Sequence, residues 1–197
     1  MASTMLPFHI PAPTQSAQPA QAGFSLTELL VVSAIMAALA AVAVPSFAGF
    51  LATQRSSSTV SRFVASLNLA RSEAIKRNAR AVLCKSADGN TCLSDGAWDQ
   101  GWLVFHDANN NAQHDPGEEL VLQSAGLAAG YRLSGNYHVS RYVSYSANGS
   151  AKLLSGAFQA GTFTLCPPQG SGVTPQKIIL SGTGRPRVAQ GQATDCS

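Results

Sequence analysis

Polar and apolar positions divide this chain into three unlike stretches. Leu29 to Val44 is an unbroken run of sixteen residues without a charge, preceded by a single acid, Glu28. From Phe24 to Val44 the chain has 21 residues, about 31 Å as a helix at 1.5 Å per residue, enough to cross a bilayer. Pro45 and Gly49 follow, and a kink or melted stretch is expected there, because a helical Pro removes one backbone bond and crowds the turn before it. The helix then resumes with Val60, Phe63, Val64, Leu67, Ala70, Ala74 and Ile75 at steps of three and four, while Arg62, Arg71, Lys76, Arg77 and Arg80 fall mostly on other faces. This half is amphipathic, with one side shaped to rest on a sheet.

After Arg80 the period shortens toward two. Candidate strands are 81–85, 101–106, 119–124, 139–146, 161–166 and 177–181, separated by Gly, Asn, Asp and Pro. Residues 107–117 and 167–175 read as loops. One helix followed by a run of strands implies an α+β fold, the helix lying on one face of an antiparallel β-sheet.

Composition changes the picture mainly through charge. Apolar residues make up 45% of the 197, charged residues only 12%, and the net charge is +3. The low charge suits a subunit packed among others. Seven of the thirteen bases, Arg55, Arg62, Arg71, Lys76, Arg77, Arg80 and Lys85, lie between residues 55 and 85, against one acid, Glu73. Such a run reads first as a solvated helix face and second as an attraction to anionic lipid or nucleic acid.

No catalytic set stands out. The four His are scattered, and neither a Gly-x-Ser-x-Gly elbow nor a phosphate-binding Gly-Lys loop occurs. The chain is therefore expected not to be an enzyme and to carry no cofactor. Asp107, Asn109, Asn111, Gln113, Asp115 and Glu118 occupy the ligand positions of an EF-hand count, but Ala112 stands where that loop needs Gly. An Asn/Asp-rich turn explains the same letters, and no metal is expected. Trp98 and Trp102 read as packing residues rather than a stacking platform.

The segment Gly23-Phe24-Ser25-Leu26-Thr27-Glu28 resembles the N-terminus of type IV pilins and pseudopilins. The resemblance implies cleavage by a prepilin peptidase after Gly23 and methylation of the new N-terminal Phe24. It also implies that Glu28 meets the N-terminal amine of a neighbouring subunit during assembly. Such a pairing answers a physical need, since a carboxylate in hydrocarbon costs roughly 2.5–3.5 kcal/mol even on lenient scales. A plain secretory signal would show a basic start and a shorter apolar core. Residues 1–22 contain no Lys or Arg, unlike most pilin leaders. Leu69-Ala70-Arg71-Ser72-Glu73-Ala74-Ile75-Lys76-Arg77 and Gly101-Trp102-Leu103-Val104-Phe105-His106-Asp107-Ala108-Asn109 resemble the FimT/GspH group of minor pilins and pseudopilins. The implied organisation is a leader over 1–23, a hydrophobic helix over 24–50, and a soluble pilin domain over 51–197. In that domain a helix runs to about residue 80 and a sheet follows. The implied location is the inner membrane before assembly, with the domain facing the periplasm, and then the pilus surface. Other pilin subunits are the implied partners.

Four Cys in a chain exported across a membrane suggest two disulfides, and three pairings exist. Cys84–Cys92 and Cys166–Cys196 are favoured, because the first pair brackets the turn-forming Ala87-Asp88-Gly89-Asn90 and the second ties the C-terminus to a strand. No spacing fits a zinc pattern.

Near the C-terminus, Gly182-Thr183-Gly184-Arg185-Pro186-Arg187-Val188 carries a Gly-Arg-x-Arg element that resembles the tail of FimT-type minor pilins, which bind DNA. Two guanidiniums two residues apart can both reach phosphates along one strand, and Pro186 stiffens their spacing. On this reading Gly184, Arg185 and Arg187 form a DNA site with Lys177 as an accessory base, serving DNA uptake in natural transformation. The bland alternative is an edge strand whose charges guard against aggregation. Two rival functions share the fold: a structural minor pilin that primes assembly, and a type II secretion pseudopilin of the GspH kind.

Overall fold

The structure is a computed structural model and describes residues 23–196. The expected leader, apart from Gly23, lies outside these described residues. Helix α1 spans Leu26–Arg77 and stays helical through Pro45 and Gly49, without the melted stretch that was one of the two expectations there. It starts on Ser25, whose hydroxyl accepts the Glu28 N–H at 3.2 Å and whose carbonyl accepts the Leu29 N–H at 3.1 Å. It stops at Asn78, which takes a left-handed φ of 50° while Ala79 N–H reaches back to the Ala74 carbonyl at 3.2 Å. This is the usual way a helix end satisfies its last carbonyls.

The boundary between two compact units falls between Ala43 and Val44. In the first, the helical side chains from Leu26 to Ala43 are exposed, and α1 is long and apolar enough to cross a membrane.

The second unit holds eight strands in two antiparallel sheets, where a single sheet was expected. The first sheet is ordered β3-β2-β1-β5, with β1 Ala81–Lys85, β2 Gly101–His106, β3 Leu120–Ala125 and β5 Tyr142–Tyr145. The second is ordered β4-β6-β7-β8, with β4 Arg132–Gly135, β6 Gly161–Cys166, β7 Gln176–Leu180 and β8 Pro186–Gln190. β1, β2 and β6 coincide with the expected strands. β3 and β7 are shifted by one residue. β5 is shorter than expected, because Tyr137–Val139 forms a 3-10 turn whose Val139 carbonyl is committed to the Trp98 indole N–H at 3.0 Å. β4 was not expected, and β8 was not among the candidate strands, although an edge strand was the bland alternative for the Gly-Arg-x-Arg element.

One core joins the helix to both sheets. Val60, Phe63, Leu67, Ala70 and Ala74, at alternating steps of three and four, are buried on α1. Phe63 makes edge-to-face contacts with Trp98, Trp102 and Phe163 at centroid distances of 5.4, 5.0 and 4.7 Å. Each such pair adds about 0.5–1.5 kcal/mol beyond area burial. Trp102 also donates its indole N–H to the Ser66 hydroxyl at 2.9 Å, so both Trp are packing residues with satisfied polar ends. A smaller cluster of Val82, Cys84, Leu103, Phe105 and Ala112 covers the other face of the first sheet. That is why β1 and β2 read as continuous apolar runs rather than alternating ones.

Candidate functional site

Two places carry the residues singled out from the sequence. At the N-terminus, Gly23 and Phe24 precede the helix and are exposed, Phe24 at 83%. Ser25 is the cap residue and Glu28 the third residue of the helix, the spacing of a capping box. An acid in the first helical turn is favoured by the helix dipole. Glu28 therefore fits the helix start locally, whatever further partner it meets.

At the C-terminal end, the turn between β7 and β8 presents the Gly-Arg-x-Arg element. Ser181 closes the turn: its carbonyl accepts the Gly184 N–H at 2.8 Å, and its hydroxyl meets the Arg185 N–H and carbonyl at 3.3 and 3.1 Å. Gly184 is buried with φ +81°, and a Cβ there would lie 2.2 Å from the Gly149 carbonyl oxygen. Only glycine allows that approach. The same Gly149 carbonyl accepts the Arg71 Nε–H at 2.9 Å, so the turn rests on a second turn held from α1. Arg185 and Arg187 are exposed, and among the described residues neither guanidinium has a hydrogen-bond or ion-pair partner.

Arg187 stands in β8, the edge of the second sheet, opposite Ile179. Cross-strand partners share a face. The buried Leu133, Phe163, Leu165, Ile178 and Leu180 mark the inner face, so Arg187, Thr162, Thr164 and Lys177 occupy the outer one. Arg132 in β4, opposite Cys166, joins this outer face. Sequence reading missed it because β4 is only four residues long; the alternation Tyr131-Arg132-Leu133-Ser134 was the signal available.

Lys177 differs from the two arginines. Its ammonium pairs with Asp195 at 2.8 Å. Asp195 sits in a 3-10 turn, Ala193–Cys196, which the Cys166–Cys196 disulfide fixes beside β6. The Asp195 carboxyl is held below its ordinary range by the Gln192 N–H at 2.6 Å and then by Lys177. Cys84 is bonded to Cys92 across the turn that Asp88 organises. Asp88 accepts from the backbone N–H groups of Thr91 and Asn90, both at 2.8 Å, and these donors keep its carboxyl well below the usual range.

The basic stretch of 55–85 is mostly spoken for. Arg71 holds Gly149, Arg77 bridges Glu73 and Glu119, and Arg80 donates to Asn110 and Ser144 at 3.0 and 2.7 Å. Lys85 is buried, donates to the Gly96 carbonyl at 2.8 Å, and has its pKa pushed down by that burial. Arg62 lies 5.0 Å from the Trp102 ring centroid, and Lys76 is 3.6 Å from Glu73.

The oxygen-rich loop is self-satisfied in the same way. Asp107 accepts from the Asn111 and Ala112 N–H groups, both at 3.0 Å, Asp115 from the Asn109 and Asn111 amides, both at 2.7 Å, and Glu118 from Ala108 N–H at 2.8 Å. Among the described residues no group of His, Cys, Asp and Glu is arranged to hold a metal.

A long helix led by this motif, ahead of antiparallel sheets, is the build of minor type IV pilins and pseudopilins. The family model described as Type II transport protein GspH matches residues 59–184, and the chain belongs to that family. The model described as Prokaryotic N-terminal methylation motif matches residues 18–44. No curated protein matches the chain. Among solved structures, the type IV minor pilin FimU of Pseudomonas aeruginosa strain PAO1 has a similar fold. It is 19% identical over 72% of this chain and 91% of that one, with a TM-score of 0.51. The minor pseudopilin EpsH from the type 2 secretion system of Vibrio cholerae matches at 11% identity, 69% and 97% coverage, and a TM-score of 0.48.

Proposed function

We propose that this chain is a minor type IV pilin that binds extracellular DNA through Gly184, Arg185 and Arg187 and serves DNA uptake in natural transformation. The observation that carries the reading is the pair of exposed, unpartnered guanidiniums, Arg185 on a turn that is itself fixed by buried Gly184 and Arg187 at the start of the strand that follows it. Planar donors suit phosphate oxygens, and a fixed turn loses little entropy on binding. Recognition is of the backbone, with little sequence preference. Lys177 contributes less while Asp195 neutralises it. The chain would be cleaved after Gly23, methylated on Phe24, held in the inner membrane with its domain in the periplasm, and drawn into a pilus through Glu28. It has no catalytic role on this reading.

One observation favours a second reading. The matching family description is that of a type II transport protein, and Arg187 stands on an edge strand, where a charge guards against strand-to-strand association. The protein would then be a secretion pseudopilin or a structural minor pilin.

The test is DNA binding by the full chain in a neutral detergent across a salt series. With Arg185→Ala and Arg187→Ala combined, binding should nearly vanish, and each lost phosphate contact should flatten the salt slope by about one unit. A folded double variant that binds DNA as well as the parent would leave the second reading standing.

A further inference from the structure

Phe158 is 70% exposed. A lone exposed aromatic needs no explanation by itself; its setting here is unusual. The ring lies against the same turn that carries Arg185: a Cβ on Gly182 would stand 3.2 Å from the Phe158 Cβ and 3.4 Å from its Cδ1. Lys152, paired with Phe158 across a short bridge, places its ammonium 5.6 Å from the ring centroid.

The backbone that carries the ring is also held firmly. The next residue, Gln159, is fully buried, its backbone N–H donates to the Ala151 carbonyl at 2.9 Å, and its side-chain amide donates to the His138 and Tyr142 carbonyls, both at 2.8 Å. Leu153 N–H closes the same small hairpin on the Ala157 carbonyl at 2.9 Å. An exposed apolar ring thus stands on a firmly held hairpin, beside a lysine and next to an arginine-bearing turn. This combination suits an anionic polymer with flat faces: phosphates meet the cations and a base meets the ring.

We propose that Phe158 is a stacking platform for an unpaired nucleobase, so that this site prefers DNA with accessible bases to intact duplex. The proposal rests on DNA binding at Arg185 and Arg187 and adds the form of DNA that the site selects. Lys152 supplies a further phosphate contact beside the stacked base. In a duplex the base faces are hidden in the stack, and only the arginine and lysine contacts are made.

The test uses the full chain in a neutral detergent and three labelled probes of equal length: a mixed-sequence single strand, its duplex, and an abasic single strand. The parent should bind the normal strand roughly tenfold more tightly than the abasic one, the value of about one stacked base. Phe158→Ala should abolish that preference and leave duplex binding unchanged, while Phe158→Trp should keep it. If the parent binds all three probes equally, stacking is wrong and backbone binding stands. If it binds none, the DNA reading itself falls, and stacking with it. If Phe158→Ala changes no probe but reduces incorporation into filaments, the ring is a contact between subunits and the proposal is overturned.

Discussion

The basic helix stretch and the tail turn make opposite use of arginine. Between residues 55 and 85 seven bases crowd together, and six of them are engaged by carboxylates, carbonyls, hydroxyls or an indole ring of the same chain. In the tail two arginines stand two residues apart, and neither guanidinium is engaged. Charge density along the sequence would rank the helix first as a binding surface. Partner counting ranks the tail first, because a guanidinium already committed inside the fold must break contacts before it can meet a ligand. Arg71 shows the division of labour: it fixes Gly149, which receives Gly184, which in turn sets the tail turn.

Several changes would break or sharpen this contrast. The largest stability loss should come from Cys166→Ser with Cys196→Ser. The closed loop spans 30 residues, and opening it should cost about 3–4 kcal/mol on the chain-entropy estimate, read as a fall in the urea midpoint. DNA affinity should fall too, since β8 loses its anchor. Gly184→Ala should follow at about 2–4 kcal/mol, combining a left-handed conformation with overpacking on Gly149. It should weaken DNA binding with both arginines in place, whereas unchanged binding would show that the turn does not position them. Arg80→Ala should cost about 1–2 kcal/mol through its lost hydrogen bonds and leave DNA affinity alone. Arg185→Ala and Arg187→Ala should do the reverse, shifting stability by less than about 0.5 kcal/mol.

The smallest effect concerns Lys177. Asp195→Asn should steepen the salt slope by up to about one unit as the ammonium becomes available. Acid should act likewise. The Asp195 carboxyl is depressed in the fold, so the pair contributes stability above the ordinary carboxylate range and loses it as pH falls through the depressed value, below about 4. Asp88 follows the same sign at still lower pH, and the protection of amides 88–92, with exchange rates corrected for their intrinsic pH dependence, should fall as its carboxylate is protonated. Protection that stays constant down to strong acid would deny the carboxylate its role in that turn.

Much of the fold was legible because local and global signals agreed. The three-and-four step from Val60 to Ala74 gave the buried helix face, and β1, β2 and β6 stand where the apolar runs stand. The Cys pairing in the structure is the one that the turn at residues 87–90 suggests. Two sheets instead of one were not legible, because β4 has only four residues and β8 opens on Pro186 and carries Arg187 and Gln190 around a single Val, so neither presents an apolar run like those of β1 and β2. Pro186 argues against the interior of a central strand; it stands at the first residue of an edge strand. Within the candidate site the arginines could be read directly. The burial of Gly184, the pairing of Lys177 and the seating of Phe158 on Gly182 depend on long-range contacts that no local pattern encodes.

The Cys166–Cys196 bond has a mechanical meaning. An outermost strand is bonded on one side only, so under tension it is the first to peel away from its sheet. Here β8 begins at a turn wedged against Gly149 and leads into a segment tied covalently to β6. A tug on Arg185 or Arg187 therefore loads a strand clamped at both ends, and the hydrogen bonds to β7 share the force instead of opening one after another from a loose end.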